Sequence, residues 1–126
     1  MTEKKLSVLL IDDDPDTQNL YQLVMENHDV ELTVMRDAES ALDYLNTNTP
    51  DVIVMDIVLP GIDGYQAIHQ IRKRTLAPNA RVIATTAYYT DDTTDKVRAE
   101  GFSGYLQKPV NPSTLLAYLK EIVHKD

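Results

Sequence analysis

Three carboxylates, a hydroxyl and a lysine follow or end four separate apolar runs of the sequence, and together they could handle a phosphoryl group. Asp12 and Asp13 follow the first run, Asp56 the second, Thr86 ends the third and Lys108 follows the fourth. Crowded carboxylates repel one another and need a positive partner, which a hard divalent cation or a lysine supplies. A carboxylate beside such a metal can act as a nucleophile toward phosphorus, while a hydroxyl and an ammonium hold phosphoryl oxygens.

The apolar runs alternate with segments of helical periodicity, and this alternation predicts the fold. Residues 6–11, 52–55 and 82–84 are nearly continuous apolar runs, as in strands buried on both faces. Residues 30–35 alternate as in an edge strand, and residues 102–107 are predicted to form the last strand. Five strands alternating with five helices predict an α/β fold with a doubly wound, five-stranded parallel sheet. We expect the strand order 2-1-3-4-5 of a flavodoxin-like sheet. Ligands of such sheets bind at the carboxyl ends of the strands, where the four motifs above would meet.

Helix boundaries and helix faces are predicted from capping residues and apolar spacing. Asp14 followed by Pro15 is typical of a helix start, with aspartate as the N-cap. This first helix is predicted to run to about Asn27, with a helical face made by Leu20, Leu23, Val24 and Asn27. The polar segment 91–100 has Val97 as its main apolar anchor and should pack lightly, and Gly101 is a plausible residue just after it.

Length, charge and cysteine content narrow the class of protein. The chain has 126 residues, enough for one domain, and we expect a single domain over residues 1–126. Its formal net charge of −8, without a basic stripe, argues against direct nucleic-acid binding. No apolar run approaches the roughly 20 residues that cross a bilayer, so we expect no membrane partner and a cytoplasmic protein. The chain has no cysteine, and its three histidines lack ligand spacing and are predicted to lie at the surface.

Four segments together carry a resemblance to a known family. They are residues 9–15, residues 51–56 with 60–64, residues 82–87 and residues 104–109, each at a predicted strand end. With these four segments in this order, the chain resembles the receiver domains of two-component response regulators over nearly its whole length. The form that it resembles is the stand-alone receiver. The resemblance implies a signalling domain that accepts phosphate, rather than an enzyme acting on a separate substrate.

The resemblance implies a role for each residue at the strand ends. Asp56 would be the phospho-acceptor. Mg²⁺ would be bound by Asp13 directly, by Asp12 mainly through water, by Asp56 and by the backbone carbonyl of Val58. Thr86 would be the switch hydroxyl and Lys108 would pair with the phosphate.

Three further positions take their expected roles from the same resemblance. Tyr105 occupies the place of a rotating switch aromatic, although it could equally be a packed core ring. The Lys108–Pro109 peptide bond is expected to be cis. Val58 and Tyr88 would flank the phosphorylation pocket, and as an aliphatic and a large aromatic residue they could obstruct the attacking water and slow the loss of phosphate.

Partners follow from the resemblance, and two other functions compete with it. The phosphoryl donor would be a sensor histidine kinase or a histidine phosphotransfer protein. A downstream protein would dock on the fourth helix, fifth strand and fifth helix, residues 90–125, where a homodimer could also form. The alternative is a phosphorylation-independent receiver-like scaffold. A phosphatase of the haloacid-dehalogenase type is disfavoured, because Asp16 stands where its motif needs threonine or valine.

Overall fold

The computed structural model describes residues 5–26, 28–87 and 90–124, in which strands and helices alternate as predicted. The elements are β1 (Leu6–Ile11), α1 (Pro15–Met25), β2 (Val30–Met35), α2 (Ala38–Leu45), β3 (Val52–Asp56), α3 (Gly64–Lys73), β4 (Arg81–Thr86), α4 (Thr93–Ala99), β5 (Gly104–Gln107) and α5 (Pro112–Val123). Every helix within these ranges is too short or too polar to cross a membrane.

The sheet is parallel, and its strand order β2-β1-β3-β4-β5 confirms the predicted doubly wound topology. Ile11 pairs with Met55, and Asp56 pairs with Thr85. Asp12, which follows Ile11, therefore lies in one row with Asp56 and Thr85 across three neighbouring strands. Because side chains alternate between the two faces of a strand, the three members of this row point to the same face of the sheet.

Apolar side chains cover both faces of the sheet and form two cores. On the face of α2, α3 and α4, the core includes Leu9, Ile53 and Val82. On the face of α1 and α5, it includes Leu10 and Val54. All five residues of β3 are buried, which explains why that strand reads as a continuous apolar run ending in a single aspartate.

Aspartates cap the first three helices and set the direction in which each chain segment leaves the sheet. The Asp14 carboxylate accepts a hydrogen bond from the Asp16 N–H at 3.1 Å, with Pro15 in the first helical turn, as predicted. Asp37 caps α2 through the Ser40 N–H. Asp63 caps α3 in a reciprocal pair of hydrogen bonds with Gln66. These caps fix the turns that follow β1, β2 and β3.

The structure corrects two details of the predicted elements. Leu23 is 69% exposed, so the predicted apolar face of α1 is wrong at that position, and the buried residues are Tyr21 and Met25. The helix ends at Met25, and the predicted end at Asn27 lies outside the described residues. The last strand begins at Gly104 rather than Phe102, because the Phe102 N–H donates to the Val97 carbonyl at the end of α4 and the pairing with β4 begins at Gly104.

Helix α4 has few buried residues, as predicted, and it is joined to α3 by three side-chain contacts. Only Thr93 and Val97 of this helix are buried. The Lys96 ammonium lies 4.8 Å from the Tyr65 ring centroid, His69 Nε2 lies 2.7 Å from Glu100 Oε2, and Arg72 donates a 2.9 Å hydrogen bond to the Gly101 carbonyl. We call these contacts the α3–α4 ladder. Gly101 follows the helix with a φ of +110°, which confirms its predicted place.

Candidate functional site

Three carboxylates meet at the carboxyl edge of the sheet. One oxygen from each of Asp12, Asp13 and Asp56 lies within 4.8 Å of the others. Asp12 is fully buried, Asp56 is nearly so, and Asp13 is exposed at the rim. An all-oxygen, acidic group that is open to solvent on one side suits a hard divalent cation such as Mg²⁺, which retains several of its waters. The residues present therefore fit the predicted metal.

The Lys108 ammonium bridges the two buried carboxylates. Its Nζ lies 2.7 Å from Asp12 Oδ2 and 2.8 Å from Asp56 Oδ2. Burial alone lowers the pKa of Lys108, but its hydrogen bonds to Asp12 and Asp56 outweigh that effect and raise the pKa. Burial raises the pKa of Asp12, and Lys108 offsets only part of that rise. One ammonium against three carboxylates leaves a negative site, which favours binding of a further cation.

The turn after β1 is held by hydrogen bonds from both sides of Asp12. Its backbone N–H donates to the Met35 carbonyl at 3.0 Å, and its Oδ1 accepts from the Asp14 N–H at 2.9 Å. The side-chain amide of Gln18 donates to the Asp12 carbonyl at 2.7 Å. This role of Gln18 was missed from the sequence, where a glutamine in the second turn of a helix carries no signal. The result is a buried carboxylate with a fixed orientation.

The segment after β3 is equally constrained around Asp56. The Val58 N–H donates to Asp56 Oδ1 at 3.0 Å, and the Gly64 N–H donates to the Ile57 carbonyl at 2.8 Å. A β-carbon on Gly64 would lie 2.8 Å from both the Asp56 carbonyl oxygen and the Ile57 Cα, so only glycine fits there. The Val58 side chain is 54% exposed, and its expected role beside the phosphorylation pocket stays a prediction.

The fourth and fifth strands bring Thr86 and Lys108 to the same edge. Thr86 is buried at the end of β4, and its carbonyl accepts a hydrogen bond from the Lys108 N–H at 3.0 Å. The Lys108–Pro109 bond is cis, as expected. Tyr105 is half-buried and packs against the core on the α2, α3 and α4 face, with β4 between its strand and the acid of β3. Tyr88 lies outside the described residues.

The predicted docking face is an open groove between α4 and α5, with β5 as its floor. Its lining combines apolar and charged side chains, including those of Val97, Arg98, Tyr105, Tyr118 and Ile122. Position 104 in this floor has no room for a larger side chain, because a β-carbon there would collide with the Tyr118 hydroxyl. Tyr105 of β5 lines this groove, and Lys108 of the acidic site directly follows the same strand, so β5 connects the predicted docking face with the site.

Comparisons with known proteins agree with this arrangement. The family model of the response regulator receiver domain matches residues 8–120. The chain is 32% identical to an uncharacterized 14.6 kDa protein in the sodA1 3' region of Leptolyngbya boryana, covering 95% of this chain and 92% of that protein. It is 31% identical to protein PilH of Pseudomonas aeruginosa, covering 92% and 96%. The crystal structure of a putative response regulator from Chloroflexus aurantiacus superposes with a TM-score of 0.88 at 29% identity, covering 97% and 100% of the two chains.

A match across most of the chain, with the predicted strand order and the acidic strand ends in place, leaves one assignment. The chain belongs to the family of response regulator receiver domains of two-component signalling systems.

Proposed function

We propose that this protein accepts a phosphoryl group on Asp56, in the presence of Mg²⁺, from a phosphohistidine of a sensor histidine kinase or a histidine phosphotransfer protein. The observation that carries the proposal is the Lys108 ammonium within 2.8 Å of both Asp12 and Asp56, beside a carboxylate cluster open to solvent through Asp13. This arrangement holds an acidic nucleophile and a cationic partner for phosphate at one point.

In the proposed reaction, an Asp56 carboxylate oxygen attacks phosphorus as the bond from phosphorus to the imidazole nitrogen breaks. The imidazole keeps the electron pair of that bond, and an acyl phosphate forms on Asp56. Mg²⁺ bound by Asp12, Asp13, Asp56 and the Val58 carbonyl would neutralise phosphoryl charge. Lys108 pairs with one phosphoryl oxygen and the Thr86 hydroxyl donates to another. The Val58 N–H, already on Asp56 Oδ1, keeps the carboxylate oriented.

The proposed output is a change in protein binding at the face formed by α4, β5 and α5. Thr86 ends β4, and Tyr105 lies opposite Ala84 in the adjacent strand β5, which forms the floor of this face. Movement of Thr86 toward the phosphate would free space for Tyr105 to rotate inward. Helix α4 can follow at small cost because it buries only two side chains. The downstream target would be a protein, or a second copy of this chain.

Acetyl phosphate with Mg²⁺ tests the phosphorylation step. We expect the intact mass of the protein to rise by one phosphoryl group, with no rise in Asp56→Asn or after chelation of the metal. Asp51→Asn is the matched control, since Asp51 lies at the opposite end of β3 and its Oδ2 accepts from the Ser7 N–H. Absence of any modification of Asp56 would instead support a phosphorylation-independent scaffold.

The donor and the output are tested with the same variants. A phosphorylated histidine phosphotransfer protein should lose its phosphoryl group to the wild-type chain and keep it with Asp56→Asn. A pull-down with the beryllofluoride-treated protein should then retain a partner that Asp56→Asn does not retain. A partner recovered equally with both would contradict a phosphorylation-dependent output.

A further inference from the structure

The side chain of Gln18, in the second turn of α1, reaches back to the backbone of the turn that carries two of the acids. Its Nε2 donates a 2.7 Å hydrogen bond to the Asp12 carbonyl. Because a carbonyl oxygen only accepts, the amide group must present its nitrogen to make this contact. Gln18 is half-buried, whereas Gln22, one turn further along the same helix, is exposed. Gln18 therefore links α1 directly to the end of β1.

This hydrogen bond fixes the backbone of Asp13 as well as that of Asp12. The Asp12 carbonyl and the Asp13 N–H belong to one planar peptide group, so a bond to the carbonyl orients the whole plane. On the other side of Asp12, its N–H donates to the Met35 carbonyl at 3.0 Å. After Asp13, the Asp14 N–H donates to Asp12 Oδ1 at 2.9 Å. The backbone on both sides of Asp13 is therefore held in place.

Asp13 is the member of the acidic cluster whose position depends most on its backbone. It is exposed at the rim, whereas the Lys108 ammonium holds both Asp12 and Asp56 within 2.8 Å. The position of such a ligand matters more for Mg²⁺ than for Ca²⁺. Mg²⁺ requires a near-ideal octahedron with oxygens at about 2.0–2.1 Å, while Ca²⁺ accepts oxygens at about 2.3–2.6 Å in a flexible arrangement. A fixed Asp13 therefore favours the smaller ion, and a loosened one favours the larger.

We infer that Gln18 is a positioning residue that makes the acidic site select Mg²⁺ over Ca²⁺, by fixing the peptide group between Asp12 and Asp13. The inference rests on the proposed function in one respect, that Asp13 binds the metal. Loss of a group that orients a metal ligand typically lowers the affinity for the metal by about 10- to 100-fold. Gln18 acts on Asp13 through the backbone, so its removal should cost the Mg²⁺ affinity about tenfold, the lower end of that range. The Ca²⁺ affinity should fall much less.

Calorimetric titration with each ion, without any phosphoryl donor, tests the inference through the ratio of the Mg²⁺ and Ca²⁺ affinities. In Gln18→Ala this ratio should move toward Ca²⁺ by several-fold. Gln18→Glu keeps the shape of the side chain but has no donor, and its added charge attracts both ions alike. Its affinity ratio should therefore move toward Ca²⁺ as well, which separates ligand position from charge. Gln22→Ala, on the same helix and exposed, is the control and should keep the wild-type ratio.

The possible results separate the role of Gln18 from the proposed function. An unchanged ratio in Gln18→Ala would overturn the inference, even if both affinities fell equally, as a general loosening of the fold would cause. A wild-type protein that binds neither ion would overturn it together with the metal site of the proposed function. A shifted ratio in a protein whose Asp56 takes no phosphoryl group would uphold the role of Gln18 and reject the proposed function. Thermal unfolding of each variant confirms that the comparison is between folded proteins.

Discussion

His69 Nε2 lies 2.7 Å from Oε2 of Glu100, and this contact joins the middle of α3 to the residue that ends α4. It is the central contact of the α3–α4 ladder, between the Tyr65–Lys96 and Arg72–Gly101 contacts. Because α4 buries only Thr93 and Val97, its position depends to a large extent on its contacts with α3. Any displacement of α4 must break or rearrange them.

His69→Ala should therefore loosen α4 without unfolding the protein. An exposed side-chain contact of this kind contributes at most about 1 kcal/mol, so the global stability should fall by no more than this. Amide hydrogen exchange should rise across residues 93–101 and stay constant in β1 and β3. His124→Ala, at an exposed histidine that ends α5, is the control. Equal exchange in α4 of the wild type and His69→Ala would refute a holding role for the ladder.

Lys108→Met should destabilise the protein mainly when Mg²⁺ is absent. The change leaves the Asp12 and Asp56 carboxylates facing each other without the ammonium that lies 2.7–2.8 Å from both. We expect the free energy of unfolding in urea to fall by about 1–3 kcal/mol, the cost of an uncompensated buried group. Mg²⁺ should recover part of the loss, because the metal replaces the missing charge. Lys120→Met, at an exposed lysine of α5, is the control, and its free energy of unfolding should stay close to that of the wild type with or without Mg²⁺. A stability loss in Lys108→Met that is the same with and without Mg²⁺ would disprove the electrostatic explanation.

Gly64→Ala should damage the site by pushing on its backbone. The new β-carbon would lie 2.8 Å from the Asp56 carbonyl oxygen, so the turn after β3 must shift. We expect a stability loss of about 1–3 kcal/mol and slower phosphorylation by acetyl phosphate. Gly101→Ala is a matched control: its φ of +110° also makes alanine unfavourable, but far from the acids. That variant should lose stability and keep its phosphorylation rate, and equal losses of rate in both would point to a global effect.

Val58→Asn combined with Tyr88→Glu should shorten the life of the phosphorylated protein. The exposed Val58 side chain stands beside Asp56 and offers no polar group to an attacking water. Polar side chains at the two positions should orient that water, and a barrier lowered by about 1.4 kcal/mol would speed the loss of phosphate tenfold. Decay is followed by intact mass after removal of acetyl phosphate. Unchanged decay would rule out obstruction by these side chains.

Asp37→Ala should remove a cap whose effect depends on pH. Hydrogen bonds from the Ser40 backbone and side chain lower the pKa of Asp37. The folded protein therefore binds a proton at Asp37 less readily than the unfolded chain does. The stabilisation by the cap is present above the ordinary aspartate pKa and is lost as the pH falls through the pKa of Asp37 in the folded protein. At neutral pH the variant should be about 1 kcal/mol less stable. The difference from wild type should vanish in acid, and Asp37→Asn, which caps without titrating, should show a weaker pH dependence.

Strand ends were predictable from the sequence because burial on both faces leaves a clear pattern. The continuous runs before Asp12, Asp56 and Thr86 end where the strands end, within two residues. The capping role of Asp14 followed from its place before Pro15. Parallel strands bring these ends to one edge, so the sequence alone predicts that the acids lie together.

The buried face of α1 was not predictable in the same way. Two sets of positions, one with Leu23 and one with Tyr21 and Met25, share the helical period, and contact with α5 decides between them. Tyr21 is not part of the predicted apolar face, yet it is fully buried. The sequence predicts Lys108 beside the acids, but its position within 2.8 Å of both Asp12 and Asp56 depends on the path of the chain after β5.

The row formed by Asp12, Asp56 and Thr85 has a consequence for how this chain can change in evolution. One residue inserted into or deleted from β1 or β3 would turn every later side chain of that strand to the opposite face. The acid at its end would then point away from Lys108, even with all the same amino acids present. Length changes are therefore tolerable in loops at the other edge of the sheet, such as residues 46–50, and forbidden in the strands. In this protein the number of residues in a strand is as much a part of the site as the identity of its last one.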